Sequence, residues 1–292
     1  MFLNGRVQAE LLAGEGLSPD FGQQIESLWA PLGERIIAEQ GRRAGTLVVG
    51  LCGPQGSGKS TGARVLATGL GEAGLRTAAL SLDDLYLSRA DRQQLAGATG
   101  SPLFRTRGPP GTHDVALGCE VLDALARPGL VRLPRFDKAT DNPVDPAAWP
   151  EVEGPVDVVL FEGWCVGATP QPEADLATPI NAMERVEDKQ AHWRRYANNC
   201  LAGSYRGLFE RIDLLIQLRA PAFETVHGWR LEQEHKLRAR AGGGMTDTEI
   251  ARFIQHYERL TRWIDVEMPS RADVVVQLDE NRRPVQIAEA EG

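Results

Sequence analysis

Residues 53–61, Gly53-Pro54-Gln55-Gly56-Ser57-Gly58-Lys59-Ser60-Thr61, complete the G-x-x-x-x-G-K-[ST] spacing of a Walker A phosphate loop. Each residue type suits its position. Gly53, Gly56 and Gly58 allow the backbone N–H groups around Gln55 and Ser57 to turn inward onto phosphate oxygens. Lys59 neutralises charge at the β- and γ-phosphates, and the Ser60 hydroxyl can hold a magnesium ion. Thr61 continues the cradle into a helix-compatible run containing Arg64, Val65 and Leu66, and an apolar strand-like run precedes it. This is the context the motif requires.

Two further segments supply carboxylates. Ser81-Leu82-Asp83-Asp84-Leu85-Tyr86 follows a β-rich run, so an aspartate there can stand beside a γ-phosphate. It could accept a proton from an attacking hydroxyl or bind magnesium through water; alternatively, paired aspartates cap the next turn. Val158-Val159-Leu160-Phe161-Glu162-Gly163-Trp164 brings Glu162 to the tip of an apolar strand, as a Walker-B-type metal contact needs. No N-K-x-D guanine-reading motif follows, which disfavours a GTPase, and no repeat points to a motor. A kinase for a small molecule is the leading class, with a regulatory P-loop ATPase as the alternative.

The elements that must position these groups alternate strand and helix. LVVGLC (47–52), RTAALSL (76–82), VDVVLF (156–161), DLLIQL (213–218) and DVVVQL (273–278) read as buried strands. Helices are predicted over 59–73, 114–126, 181–200, 221–240 and 246–264, the last opened by a Thr246-x-x-Glu249 capping box. The fold expected is α/β, a P-loop NTPase-type parallel sheet flanked by helices. Before it, Ser18-Pro19-Asp20 opens an amphipathic helix with Phe21, Ile25, Leu28, Trp29, Leu32, Ile36 and Ile37 at helical spacing and a bend expected at Pro31. The division expected is a helical extension over 1–44 and a kinase domain over 45–292. Residues 97–113 and 134–155, rich in Gly, Pro and polar residues, are expected as loops roofing the site.

Composition narrows the partners. A formal net charge of -8 disfavours a nucleic-acid backbone. No stretch approaches a membrane span, and the N-terminus does not read as a signal peptide. The four cysteines, Cys52, Cys119, Cys165 and Cys200, have no CxxC spacing and read as reduced thiols of a cytoplasmic protein.

The blocks GPQGSGKST, SLDDLYL, RTRGPPGTHD, LPRFDKATDNP, VVLFEGWCVG, WRLEQEHKLRA and GGGMTDTEI together resemble the plant-type D-glycerate 3-kinase group. That group belongs to the phosphoribulokinase, uridine kinase and pantothenate kinase superfamily. The resemblance runs in order from about Leu47 to Leu278 and implies ATP and Mg²⁺ as cofactors, with D-glycerate as the favoured hydroxyl acceptor. A nucleoside, pantothenate or another sugar acid is the rival acceptor. Asp83 corresponds to the catalytic base, with Asp84 its neighbour, and Glu162 to the Walker-B-like glutamate. A basic lid, about 221–245, corresponds to Arg230 through Arg240, with Arg230, Lys236 and Arg238 as candidate phosphate contacts. Gly242-Gly243-Gly244 could serve as its hinge.

Arginines on a rigid Pro/Gly turn suit an anionic acceptor, so Arg107 is a candidate for the acceptor carboxylate. Asp114 in the same block suits a helix cap. Arg135, Asp137 and Lys138 could bind the carboxylate, orient hydroxyls or form an internal ion pair. His113 could reach the acceptor or be satisfied by backbone. Tyr86 joins Asp84 among the expected acceptor contacts.

Overall fold

The apolar runs assemble into one sheet because both of their faces find helices to cover them. In a computed structural model describing residues 2–241 and 244–289, the strands are β1 (Leu47–Cys52), β2 (Thr77–Ser81), β3 (Gly129–Arg132), β4 (Phe136–Asp137), β5 (Asn142–Pro143), β6 (Glu151–Gly154), β7 (Val158–Gly163), β8 (Leu214–Arg219), β9 (Val274–Leu278) and β10 (Pro284–Glu289). The main sheet has the order β10-β9-β8-β1-β7-β2. All its pairings are parallel except β10 with β9. The parallel sheet expected is present; β10, which was not predicted, adds an antiparallel edge to it. Its cause is local: the short turn after β9 leaves no room for a crossover helix. The fold is thus α/β, a mostly parallel sheet flanked by helices.

Every residue of β1 and β7 is buried. One face packs against the Lys59–Glu72 helix and the N-terminal helices; the other packs against Val115–Leu125, Ser204–Phe209 and Gln255–Glu267. The helix predicted after Ser18 forms over Phe21–Gln40, with a π-helical turn at Ile25–Trp29. That widening sits just before Pro31, whose missing N–H weakens the helical ladder there. Trp29 lies against Gly62 of the phosphate-loop helix, so closely that a Cβ on Gly62 would fall 2.0 Å from its ring. A helix over Gly5–Glu15, capped by Asn4 and closed by left-handed Gly16, was not predicted although both caps are legible.

Two expectations are corrected in detail. The single helix over 181–200 is broken into Ala182–Glu187 and His192–Ala202, because buried Asp188 draws the Arg194 side chain and the Trp193 and Arg194 amides onto itself. The helix over 246–264 divides into Asp247–Phe253 and Gln255–Glu267, its capping box at Thr246 formed as read. Of the hinge glycines, Gly242 and Gly243 lie outside the described residues. Among the described residues no helix is long and apolar enough to cross a membrane.

Candidate active site

The phosphate loop leaves the end of β1 and enters the Lys59–Glu72 helix. Gly56 and Gly58 take φ values of 78° and 88°, the left-handed region that favours glycine. At Gly56 a side chain would also collide with Trp229 of the helix above, its Cβ falling 2.6 Å from that of Trp229. The loop therefore supports the Phe223–Ala241 helix directly. Gly53 is tight for another reason: a Cβ there would meet the Ser57 Oγ at 2.8 Å. Ser57 is buried, and its hydroxyl has no partner among the described residues. The Gln55 side-chain amide is also buried and has no partner among the described residues. Such groups cost free energy unless something polar meets them.

The carboxyl ends of adjacent strands bring the acidic residues to this loop. Glu162 ends β7 in register with Leu51 of β1 and Ser81 of β2. The Ser60 hydroxyl donates to Glu162 Oε1 at 2.8 Å, while the buried Oε2 has no partner among the described residues. A P-loop hydroxyl beside a half-satisfied carboxylate is a set of hard oxygen donors that fits Mg²⁺. This ion is commonly held by one or two carboxylates with water and phosphate completing its shell. The described residues contain no cluster of three or more His, Cys, Asp or Glu around one point, which such a site does not need.

Asp83 lies in the turn after β2, where Ser81 accepts from its amide. Its Oδ1 accepts from the Tyr86 hydroxyl at 2.6 Å and its Oδ2 from Lys138 at 2.6 Å. Burial would raise the carboxyl, but Lys138 and Lys59, with the hydrogen bonds from Lys138 and Tyr86, hold it well below the usual carboxylate range. Lys59, Asp83, Tyr86, Arg107, Lys138 and Arg230 line one cavity of about 290 Å³. Gln55 and Ser60 open onto the same cavity. Arg107 is presented by the Pro/Gly turn, whose left-handed Gly108 (φ 119°) is required: a Cβ there would fall 2.0 Å from the Tyr257 hydroxyl. That hydroxyl donates to the Arg107 carbonyl at 3.0 Å.

A second, larger cavity of about 780 Å³ adjoins the outer side of the loop at Gly56, Ser57, Gly58 and Thr61. Its far walls come from both chain ends, with Gln24 and Trp29 on one side and Asn281 and Arg282 on the other. Arg282 ties the walls together. It donates to the Gly56 carbonyl at 2.6 Å and pairs with Glu232 at 2.6 Å, and its guanidinium lies 5.2 Å from the Trp229 ring centroid. Sequence reading missed Gln24 and Arg282, since nothing local marks either. It also missed buried Glu234, which pairs with Arg230 at 2.7 Å and accepts from the Met245 amide.

Not every expected residue reaches these cavities. Lys236 lines the larger one while paired with Glu232 at 2.5 Å. Arg238 turns aside to Asp247 at 2.5 Å and lines neither. Of Arg240 only the helical backbone is described. Asp137 caps its own turn through Ala139 N and Thr140 Oγ1. Arg135 pairs with Asp84 at 3.3 Å, and Asp84 also accepts from the Phe136 amide, so this pair braces β4 instead of facing the cavity. Burial raises the Asp84 carboxyl, against the pull of Phe136 N and Arg135. His113 is buried, stacked on Tyr86 and bonded to the Tyr205 hydroxyl at 2.5 Å; burial lowers its pKa to about 3. Asp114 caps the following helix through Leu117 N.

No family model matches the chain. An uncharacterized kinase of Schizosaccharomyces pombe, mug58, is 33% identical over 259 residues, covering 82% of this chain and 90% of its own. Chloroplastic D-glycerate 3-kinase of Arabidopsis thaliana is 31% identical over 258 residues, 82% of this chain; the match spans about half, 54%, of the plant protein. The solved structure of D-glycerate 3-kinase from Cryptococcus neoformans superposes with a TM-score of 0.77 at 28% identity, over 90% of this chain and 99% of that one.

Proposed function

This chain belongs to the D-glycerate 3-kinase group of P-loop kinases, and on that premise we propose that it transfers the γ-phosphoryl group of ATP to a hydroxyl of D-glycerate, forming 3-phosphoglycerate. One observation carries the reading: a phosphate-loop lysine, a strand-end carboxylate and two cations, Lys59, Asp83, Arg107 and Lys138, share a single cavity. Arg107, held by Asp141, and Lys138, held by Asp83, bring two cations to this cavity, which suits an acceptor that is itself an anion. A simple ATPase has no use for such a pocket.

In this reading the nucleotide base and ribose occupy the larger cavity and the phosphates lie on residues 53–61. Asp83 accepts the proton of the attacking hydroxyl, and Arg107 and Lys138 hold the acceptor carboxylate. Lys59 and Arg230 stabilise charge on the transferring group. Ser60 and Glu162 would hold Mg²⁺, which when bound supplies positive charge at the β- and γ-phosphates. Lys236 stands at the nucleotide side. Arg135 and Asp84 act through the ribbon they brace. Residues 1–44 are an extension and 45–292 the kinase body, with the lid over about 221–245. The free cysteines support a reducing, cytoplasmic setting.

The test is ADP release by the purified protein with Mg²⁺-ATP and D-glycerate, L-glycerate, uridine, pantothenate or ribulose 5-phosphate. Stimulation by D-glycerate with 3-phosphoglycerate formed is expected. Stimulation by another acceptor alone would replace the substrate, and none by any would favour the regulatory ATPase. Asp83→Asn should lower kcat by about 10²–10⁴-fold at unchanged melting temperature; near-wild-type turnover would remove the base assignment.

A further inference from the structure

A general base works when the proton it must receive meets a carboxylate free to take it, yet Asp83 is engaged at both oxygens. On Oδ1 sits the Tyr86 hydroxyl, from a buried ring. The partner on Oδ2 is different in kind. Lys138 reaches it from the tip of the β4–β5 ribbon, with a side chain 58% exposed. An ammonium at 2.6 Å opposes uptake of a proton by the same oxygen. A long, exposed lysine side chain is also free to leave, because water can resolvate its charge.

The ribbon beneath Lys138 is anchored. Asp141, in the turn just before β5, is held by Arg92, whose side chain is fully buried and also donates to the Leu87 and Arg105 carbonyls. The second oxygen of Asp141 accepts from Arg107 at 2.6 Å. One short turn therefore fixes Arg107 and presents Lys138, and both line the cavity that holds Asp83. Arg107 and Lys138 thus face the same cavity, so an anion entering it meets both cations.

We propose that Lys138 gates the base: it keeps Asp83 from taking a proton until the carboxylate of the acceptor, held by Arg107, takes the ammonium over. The inference rests on the reading of Asp83 as base and deepens it by naming what selects an anionic acceptor. Water carries no charge with which to displace the lysine, so acceptor-free hydrolysis stays slow. In either reaction the attacking O–H proton passes to Asp83 Oδ2 and the attacking oxygen bonds to the γ-phosphorus. The bond from that phosphorus to the β,γ-bridging oxygen breaks, with its electron pair leaving on ADP.

The experiment compares wild type, Lys138→Met, Lys138→Arg and Lys138→Met/Asp83→Asn, each with Mg²⁺-ATP alone, with D-glycerate and with glycerol, which lacks the carboxylate. Lys138→Met should raise acceptor-free hydrolysis about tenfold, raise the KM for glycerate, and narrow the preference for glycerate over glycerol. Lys138→Arg should restore low hydrolysis, and the double variant should return it to the wild-type level. Hydrolysis by Lys138→Met at or below wild type, with phosphorylation of glycerate reduced, would overturn the gate and leave the kinase assignment standing. Elevated hydrolysis persisting in the double variant would overturn it too, since the released group would not be Asp83. If no variant phosphorylates glycerate, the substrate reading fails, while the hydrolysis comparison still decides the gate. Melting curves of the exposed-site variants establish that each is folded.

Discussion

Glu162 concentrates the metal question in one atom. Its Oε1 accepts from Ser60, whereas Oε2 is buried with no partner among the described residues. An unsatisfied carboxylate oxygen at a strand tip is costly and is best offset by a cation. Glu162→Gln keeps the shape and the Ser60 contact but removes the charge. The Mg²⁺ concentration for half-maximal activity should rise about tenfold or more, with the melting temperature kept or raised; an unchanged magnesium midpoint would count against the assignment. At this scale motif residues are legible because their chemistry is tied to spacing. The lid cations are not. Arg230, Lys236 and Arg238 look alike in sequence, yet one lines the smaller cavity, one the larger, and one turns to Asp247.

The N-terminal helix shows how an element takes on a role its sequence does not state. Its apolar spacing demands a partner surface, and that partner is the Lys59–Glu72 helix, approached through the missing side chain of Gly62. Trp29 is both 2% exposed and part of the wall of the larger cavity. Trp29→Ala should therefore cost about 3–5 kcal/mol of stability and also raise the KM for ATP. Thermal melts and nucleotide titration check this; an unchanged melting temperature would mean that the helix does not brace the loop. The β4–β5 ribbon makes the same point at smaller size. Its segment reads as a loop with Arg135, Asp137 and Lys138 as candidate acceptor contacts or an ion pair, but that it reaches Asp83 and Arg107 together is legible only in the fold.

Across the molecule, pH acts through groups the chemistry does not use. Asp265, on the Gln255–Glu267 helix, has its pKa raised to about 6 by burial, which Arg219 and Arg262 only partly offset. A carboxyl raised on folding favours the protonated native state. Stability should therefore fall as pH rises from about 4 to about 6 and remain lower above that. Asp265→Asn should raise the melting temperature by a few degrees at pH 8 and by little at pH 4.5, about 1–2 kcal/mol after allowance for solvent screening. Equal shifts at both pH values would refute the linkage.

The same whole-molecule view separates what each level decided. Local sequence determined the five parallel strands of the main sheet, the phosphate loop, the capping box and the carboxylates at strand ends, because periodicity and backbone geometry act within a few residues; the short β3–β6 and β4–β5 ribbons were not read from it. It left open the antiparallel β10, the break at Asp188, the pairing of Arg238 and the cavity walls at Gln24 and Arg282. Those depend on groups as far apart as Gln24 and Arg282, whose hydrogen bond joins the two ends of the chain beside the phosphate loop. Only folding brings such residues together, and no local spacing encodes their meeting.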